Sequence, residues 1–205
     1  MSNIKLSMIV ACYNEDSHLS NNLSRLKQVL DKLVYEYEII ILDDASRNST
    51  VEIIESFLQA NQRADNIKFI KHEKNKGRGG TVSEGILAAS GEIAGFIDID
   101  FSTSPWYIPA LVAEIENGAD VVIGQRIYKL KLKVLHRWIL SQGYKLLVKL
   151  FLSRDLGDTE SGCKFFRREK IIPILAQVKD EKWFWDTEII GRSYAAGLEI
   201  RQLPT

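Results

Sequence analysis

At 205 residues and 45% hydrophobic content, the chain is long enough for one domain with a sizeable core and too apolar to be disordered. Its 27 lysines and arginines balance 27 aspartates and glutamates, so no global field selects nucleic acid or an acidic partner. Cys12 and Cys163, far apart and without CxxC spacing, speak against a disulfide framework or a zinc site and suit a reducing compartment; no signal peptide opens the chain, and no apolar run reaches the roughly 20 residues that span a bilayer.

The predicted elements alternate between strand and helix. Ile4 to Cys12 reads as a buried strand, and Leu19, Leu23, Leu26, Leu30 and Leu33 then recur at helical spacing. Glu38 to Asp43 is a second strand, followed by a helix marked by Val51, Ile54, Phe57 and Leu58. Ile67 to Lys71 is a third strand, Val82, Ile86 and Leu87 mark another helix, and Ile93 to Ile97 is a fourth strand. Ser104 and Pro105 read as the N-cap and first residue of a helix through Ile108, Leu111, Val112 and Ile115, and Asp120 to Gly124 is a fifth strand. Such units predict an α/β domain with a mostly parallel sheet and helices on both faces. No linker, repeat or low-complexity tract divides it.

Ligands of open parallel sheets bind beyond the carboxyl ends of the strands. The residues there form a polar set: Tyr13, Asn14, Glu15 and Asp16 after the first strand, Asp43, Asp44 and Ser46 after the second, Asp98 and Asp100 after the fourth, Gln125 and Arg126 after the fifth. Two carboxylates one residue apart repel unless a cation or donors sit between them. Hard oxygen ligands favour Mg2+ or Mn2+, which take substrate phosphates as further ligands. An isolated DxD is more often a turn or helix cap.

The segments "VACYNED" (10–16), "YEIIILDDASRNST" (37–50), "KNKGRGGTVSEGILAASGE" (74–92), "DIDFSTSP" (98–105), "VIGQR" (122–126) and "DTESGCKFF" (158–166) change that balance. In this order they resemble the family-2 glycosyltransferases that act on polyprenyl phosphates, among them the dolichyl-phosphate mannose and glucose synthases. "EKWFWDTEIIGRS" (181–193) is more similar to the glucose synthase branch. The resemblance covers nearly the whole chain and implies a GT-A fold, a single Rossmann-like domain over 1–205, with a nucleotide-binding part to about residue 126 and an acceptor- and membrane-facing part beyond. By matching position, Ala11, Tyr13 and Glu15 would line the base pocket and Asp43 would hold base or ribose. Asp98 and Asp100 would bind metal and diphosphate, and Arg126 would meet the phosphates. Ala11 stands where proline is usual, Gln125 replaces a usual serine, and "DDASRNST" lacks the familiar glycines. Ser102 stands where the mannose synthases often carry glutamine. "GLEIRQLPT" reads as a strand that relatives continue beyond, so truncation before membrane helices is expected.

"NKGRGG" admits two roles, a phosphate cradle or a tight turn allowing close backbone approach, with Lys76 and Arg78 expected in solvent. From Val121 through Arg154 no acidic residue occurs, while Lys129, Lys133, Arg137, Lys145 and Lys149 share a four-residue repeat beside apolar positions. A basic amphipathic segment of this kind suits an anionic membrane surface, although a core helix with one solvated face has the same pattern. With the resemblance, the expected anion is a polyprenyl phosphate at the cytoplasmic membrane face.

A phosphate monoester, with a second pKa of about 6, attacks without a dedicated base. The expected activity is therefore hexose transfer from UDP-glucose or GDP-mannose to polyprenyl phosphate, with inversion. Were the acceptor a sugar hydroxyl, Asp158 would lead as base, with Asp186 or Glu188 behind it. His18, His72 and His136 show no ligand spacing, and Trp183, Phe184 and Trp185 are core or acceptor-cleft aromatics. A sugar-nucleotide pyrophosphorylase would carry a glycine- and arginine-rich loop where this chain has "ACYNED", and a noncatalytic membrane scaffold would leave Asp43, Asp98, Asp100 and Arg126 without a shared purpose.

Overall fold

The protein, represented by a computed structural model, is described over residues 4–61, 65–126 and 158–205. Apolar runs with little polar alternation make strands buried on both faces. They are β1 (Leu6–Cys12), β2 (Tyr37–Asp43), β4 (Ile93–Ile97), β5 (Val121–Gln125) and β6 (Cys163–Arg167), while β3 (Ile67–Lys71) and β7 (Ile200–Pro204), at the two edges of the sheet, are only partly buried. The sheet order is β3-β2-β1-β4-β6-β5-β7. β1 pairs in parallel with β2 and β4, β2 with β3, and β5 with β7, whereas β6 runs antiparallel to both β4 and β5. β6 was not foreseen among the strands, and β7 bears out the strand read in "GLEIRQLPT".

Helices α1 (Leu19–Leu30), α2 (Thr50–Ala60) and α4 (Ile108–Glu116) cover one face, burying Leu23, Leu26, Ile54, Leu111 and Ile115 against Leu6, Met8, Val10 and Ile39. α3 (Arg78–Ala88), α5 (Arg168–Leu175) and α6 (Trp185–Ala195) cover the other, with Val82, Ile86, Ile171, Trp185 and Ile189 against Ile9, Ile40 and Phe96. The predicted cap at Ser104 takes a different form. Pro105–Tyr107 make one 3-10 turn before α4 begins at Ile108, and the Ser104 side chain makes no capping bond. Both cysteines are buried free thiols, and burial drives each thiol well above its ordinary range.

The end of the sheet away from the ligand edge is tied by Glu38. Its Oε1 accepts from Ser7 Oγ (2.6 Å), Ser90 N (2.7 Å) and Ser90 Oγ (2.6 Å), and the Lys68 ammonium lies 2.6 Å from Oε2. Burial alone would push this carboxyl up, but Lys68 and the serine donors outweigh it and bring it down from 4.5 to about 2. The unfolded chain therefore takes up this proton first as pH falls. Stability from Glu38 is complete above pH 4.5 and lost between 4.5 and about 2. The loss is at most roughly 3 kcal/mol, and less because Lys68 is half exposed and screened by salt. Urea unfolding at pH 5 and pH 3 should show this component in the wild type and not in Glu38→Gln. Equal pH slopes for the two would refute the assignment.

Candidate active site

Parallel strands deliver their carboxyl ends to one edge, and the antiparallel β6 delivers its amino end to the same edge. Ile97, which ends β4, pairs with Cys163, which opens β6. The loop 158–162 therefore joins the loops after β1, β2, β4 and β5. Each of the first three carries one non-glycine residue with left-handed backbone: Asn14 (φ 55°), Ala45 (φ 62°) and Phe101 (φ 54°). Strain of this kind persists only where surrounding contacts over-determine it, and it concentrates at functional sites. Those contacts are present: Asn14 N donates to Ser46 Oγ at 2.8 Å, Arg47 N to Asn14 Oδ1 at 2.9 Å, and Phe101 N to Asp98 O at 3.0 Å. Ala45 fills a position in "DDASRNST" that glycine would occupy without strain.

Ala11, Tyr13 and Glu15 lie at the end of β1 and in its loop, with Tyr13 exposed. Asp43 is fully buried at the end of β2. Its Oδ2 accepts from Ser46 N at 3.1 Å, while its Oδ1 has no hydrogen-bond partner among the described residues. A buried carboxylate oxygen without a donor is the acceptor that a base N–H or ribose hydroxyl would satisfy.

Asp98 is half-buried and Asp100 exposed. Burial pushes the Asp98 carboxyl up, and the charges of Asp186 and Asp100 add to this against the pull of Arg78. Glu15 is also raised, by burial first and then by Asp100, Asp16 and Asp98. At both Glu15 and Asp98 the neighbouring acids add to the effect of burial, so carboxylates crowd this edge. Their oxygens are hard donors, so they fit Mg2+ or Mn2+. Among the described residues no three acidic, histidine or cysteine side chains converge closely enough to enclose a metal by themselves. Asp98 and Asp100 would hold such an ion from one side, with phosphate oxygens and water on the other.

Arg126 and Asp158, expected in separate roles, are brought together. Arg126 Nε donates to Asp158 Oδ2 and Nη2 to Oδ1, both at 3.0 Å, a two-point fork. Asp186 is buried between Lys164 and Arg78, and Glu188 accepts from Lys179 N, Asp180 N and Arg192. Every carboxylate proposed as a base is thus held by cations or amides.

The glycine run is a tight approach of backbones. Lys76 N and Gly77 N donate to the Asp44 carboxylate at 2.8 and 2.9 Å, and Gly80 N to Glu181 O at 2.9 Å. A Cβ on Gly79 would overlap Trp185, and one on Gly77 (φ 87°) would overlap Glu181 O. Those three amides are consumed inside the protein, which removes them from a phosphate cradle. The expectation for Arg78 is corrected: it is largely buried and ion-paired with Asp98 and Asp186, because close packing of α3 on α6 draws its side chain inward. Lys76 does remain half exposed, paired with Glu84. His72 is buried between Asp44 and Glu84, a packing role. The three aromatics divide, with Trp185 in the core and Trp183 (79%) and Phe184 (56%) exposed.

Sequence reasoning placed Arg78 in solvent and passed over Lys164 and Gly162. Lys164 carried a signal, since a lysine inside the apolar run "CKFF" must find a buried partner. The basic residues between 127 and 154, with His136, lie outside the described residues.

The sequence profile of glycosyl transferase family 2 matches residues 7–175. The chain belongs to that family. It is 31% identical over 217 aligned positions to the dolichyl-phosphate beta-glucosyltransferase of Dictyostelium discoideum, covering 99% of this chain and 66% of the relative. It is 31% identical over 173 positions to the dolichol-phosphate mannosyltransferase of Pyrococcus furiosus, covering 82% of this chain and 47% of the relative. The chain thus spans about half to two thirds of the length of these two relatives. A crystal structure of glucosyl-3-phosphoglycerate synthase from Mycobacterium tuberculosis, in complex with Mn2+, UDP and phosphoglyceric acid, superposes with a TM-score of 0.73 at 19% identity, covering 98% of this chain and 68% of that one. At that identity the likeness establishes the fold alone, a GT-A fold. This family-2 glycosyltransferase has no helix among its described residues long and apolar enough to cross a membrane.

Proposed function

We propose that the chain transfers a hexose from a nucleotide sugar, with UDP-glucose favoured over GDP-mannose, to a polyprenyl phosphate at the cytoplasmic membrane surface. The observation that carries this reading is the state of the candidate bases. Asp158, Asp186 and Glu188 each neutralise a neighbouring cation. A sugar hydroxyl would need one of them free, whereas an ionised phosphate monoester needs none.

In the proposed reaction an oxygen of the acceptor phosphate attacks the anomeric carbon in line, the bond from that carbon to the diphosphate oxygen breaks, and the nucleoside diphosphate leaves with the electron pair. Asp43 accepts from the base or ribose, Ala11, Tyr13 and Glu15 line the base, and Asp98 and Asp100 hold Mg2+ or Mn2+. The ion, when bound, supplies positive charge to the departing diphosphate. Arg126, forked onto Asp158 at the same edge, would bring its positive charge to the phosphates. The names of the two relatives support the substrate classes. The nucleotide-binding part would run to about residue 126 and the basic residues beyond it would meet the lipid.

The test is transfer of radiolabel from UDP-glucose and from GDP-mannose to a polyprenyl phosphate in vesicles, with Mg2+, with Mn2+ and with EDTA. Label should enter lipid only with metal, and more from UDP-glucose. Transfer to a free sugar hydroxyl in preference to the lipid would reject the acceptor, and undiminished transfer in EDTA would reject the ion.

A further inference from the structure

The charges behind Asp98 form a continuous chain. Lys164 is fully buried, directly opposite Phe96 in the β4–β6 ladder. Its ammonium donates to Ser161 O at 2.5 Å and to Asp186 Oδ1 at 2.6 Å. The other oxygen of Asp186 accepts from Arg78 Nη1, and Arg78 Nε and Nη2 both donate to Asp98 Oδ1, at 3.0 and 2.8 Å. The order is ammonium, carboxylate, guanidinium, carboxylate, with two of each sign. The Phe96 ring presents its face to both cations, its centroid 5.2 Å from Arg78 and 5.3 Å from Lys164. Trp183 closes the outer side, 5.9 Å from the guanidinium.

We propose that Arg78 is the resident counter-cation of Asp98 and that Asp186, held by Lys164, is the positioning residue that keeps it there; the inference rests on the donor site proposed above. A guanidinium is planar and its N–H directions are fixed. With Nη1 anchored on Asp186, Nε and Nη2 can meet only one oxygen of Asp98. Asp98 Oδ1 is thereby neutralised from behind, and the rest of the acidic pair keeps one orientation toward the cleft. A guanidinium without the Asp186 anchor would follow its carboxylate, and the site would lose its preset geometry. The anchor is itself rigid, since Lys164 is enclosed by a carbonyl, a carboxylate and an aromatic face.

A merely structural role, joining α3 and α6 to the sheet, predicts different outcomes. Replacing both inner charges by apolar side chains of similar volume, in Lys164→Met/Asp186→Leu, keeps the interior neutral and should leave the melting temperature within a few degrees of wild type. Asp186→Leu alone strands Lys164 and should lower it by about 10 °C. If Asp186 positions Arg78, the double variant regains stability but its kcat stays down about 30-fold, with KM for the donor changed less than threefold. Wild-type kcat in the folded double variant would overturn the positioning role.

The second readout needs no turnover. Mn2+ affinity, titrated by electron paramagnetic resonance without nucleotide, should rise about tenfold in Arg78→Met, because a positive charge beside the ligand carboxylates is removed. Arg78→Lys, which keeps the charge but not the fork, should bind Mn2+ as the wild type does and still lose kcat. Unchanged or weaker Mn2+ binding in folded Arg78→Met would overturn the counter-cation role; if that variant does not fold, Arg78→Gln, which removes the charge but keeps a polar side chain, is titrated in its place and the same outcome overturns it. A wild type that binds Mn2+ but transfers no hexose would reject the proposed function and leave the charge chain standing, whereas one that transfers hexose without binding Mn2+ would reject the charge chain's part in catalysis.

Discussion

Asp100→Ala is expected to keep the fold and to lose hexose transfer by at least about 1,000-fold, the scale of removing a principal electrostatic stabiliser of a leaving group. The fold should survive because Asp100 is exposed and its resolved contact is local, Oδ1 accepting from Ser102 N at 2.9 Å. Surface changes of this kind usually stay within about 0.5 kcal/mol. Transfer should fail because Asp98 already has a cation, Arg78, on Oδ1, which leaves Asp100 as the member of the pair without one among the described residues. Circular dichroism melting paired with the radiolabel assay separates the two effects. Turnover within tenfold of wild type would remove Asp100 from the site.

Gly162→Ala should be nearly as damaging, for a steric reason. Asp98 N donates to Gly162 O at 2.7 Å, so the two backbones are in direct contact, and a Cβ on residue 162 would overlap the Asp98 carboxylate. Neither strand can yield easily, since β4 and β6 are paired from Ile97–Cys163 to Ile93–Arg167. The carboxylate must turn away. Turnover is expected to fall about 100-fold with a stability loss of roughly 1–3 kcal/mol. Gly80→Ala is the matched control, because its methyl would meet only the Lys76 and Glu181 side chains, at 3.3 and 3.4 Å. Equal behaviour of the two variants in the transfer assay would show that the contact at Gly162 is unimportant.

Much of the fold was legible because its signals are local. Leu19, Leu23, Leu26 and Leu30 repeat at the helical period and all are buried on α1. Ile67 to Lys71 and Ile93 to Ile97 are the strands the apolar runs described, and the polar residues after β1, β2, β4 and β5 do meet at one edge. Each of these depends on the order of neighbouring side chains and on the rule that parallel crossover units share a polarity.

What only the tertiary structure decided depends on residues distant in sequence. The antiparallel insertion of β6 between β4 and β5 put Gly162 against Asp98 and Lys164 beside Phe96, and no periodicity within "SGCKFF" announces a strand's partners or direction. Arg78 read as a solvated cation because its neighbours are glycines. It is buried because Trp185, 107 positions away, takes the space that Gly79 leaves. Pattern reports which face of an element is apolar; which buried charges meet is set by strand register and helix docking, and those are properties of the assembled chain.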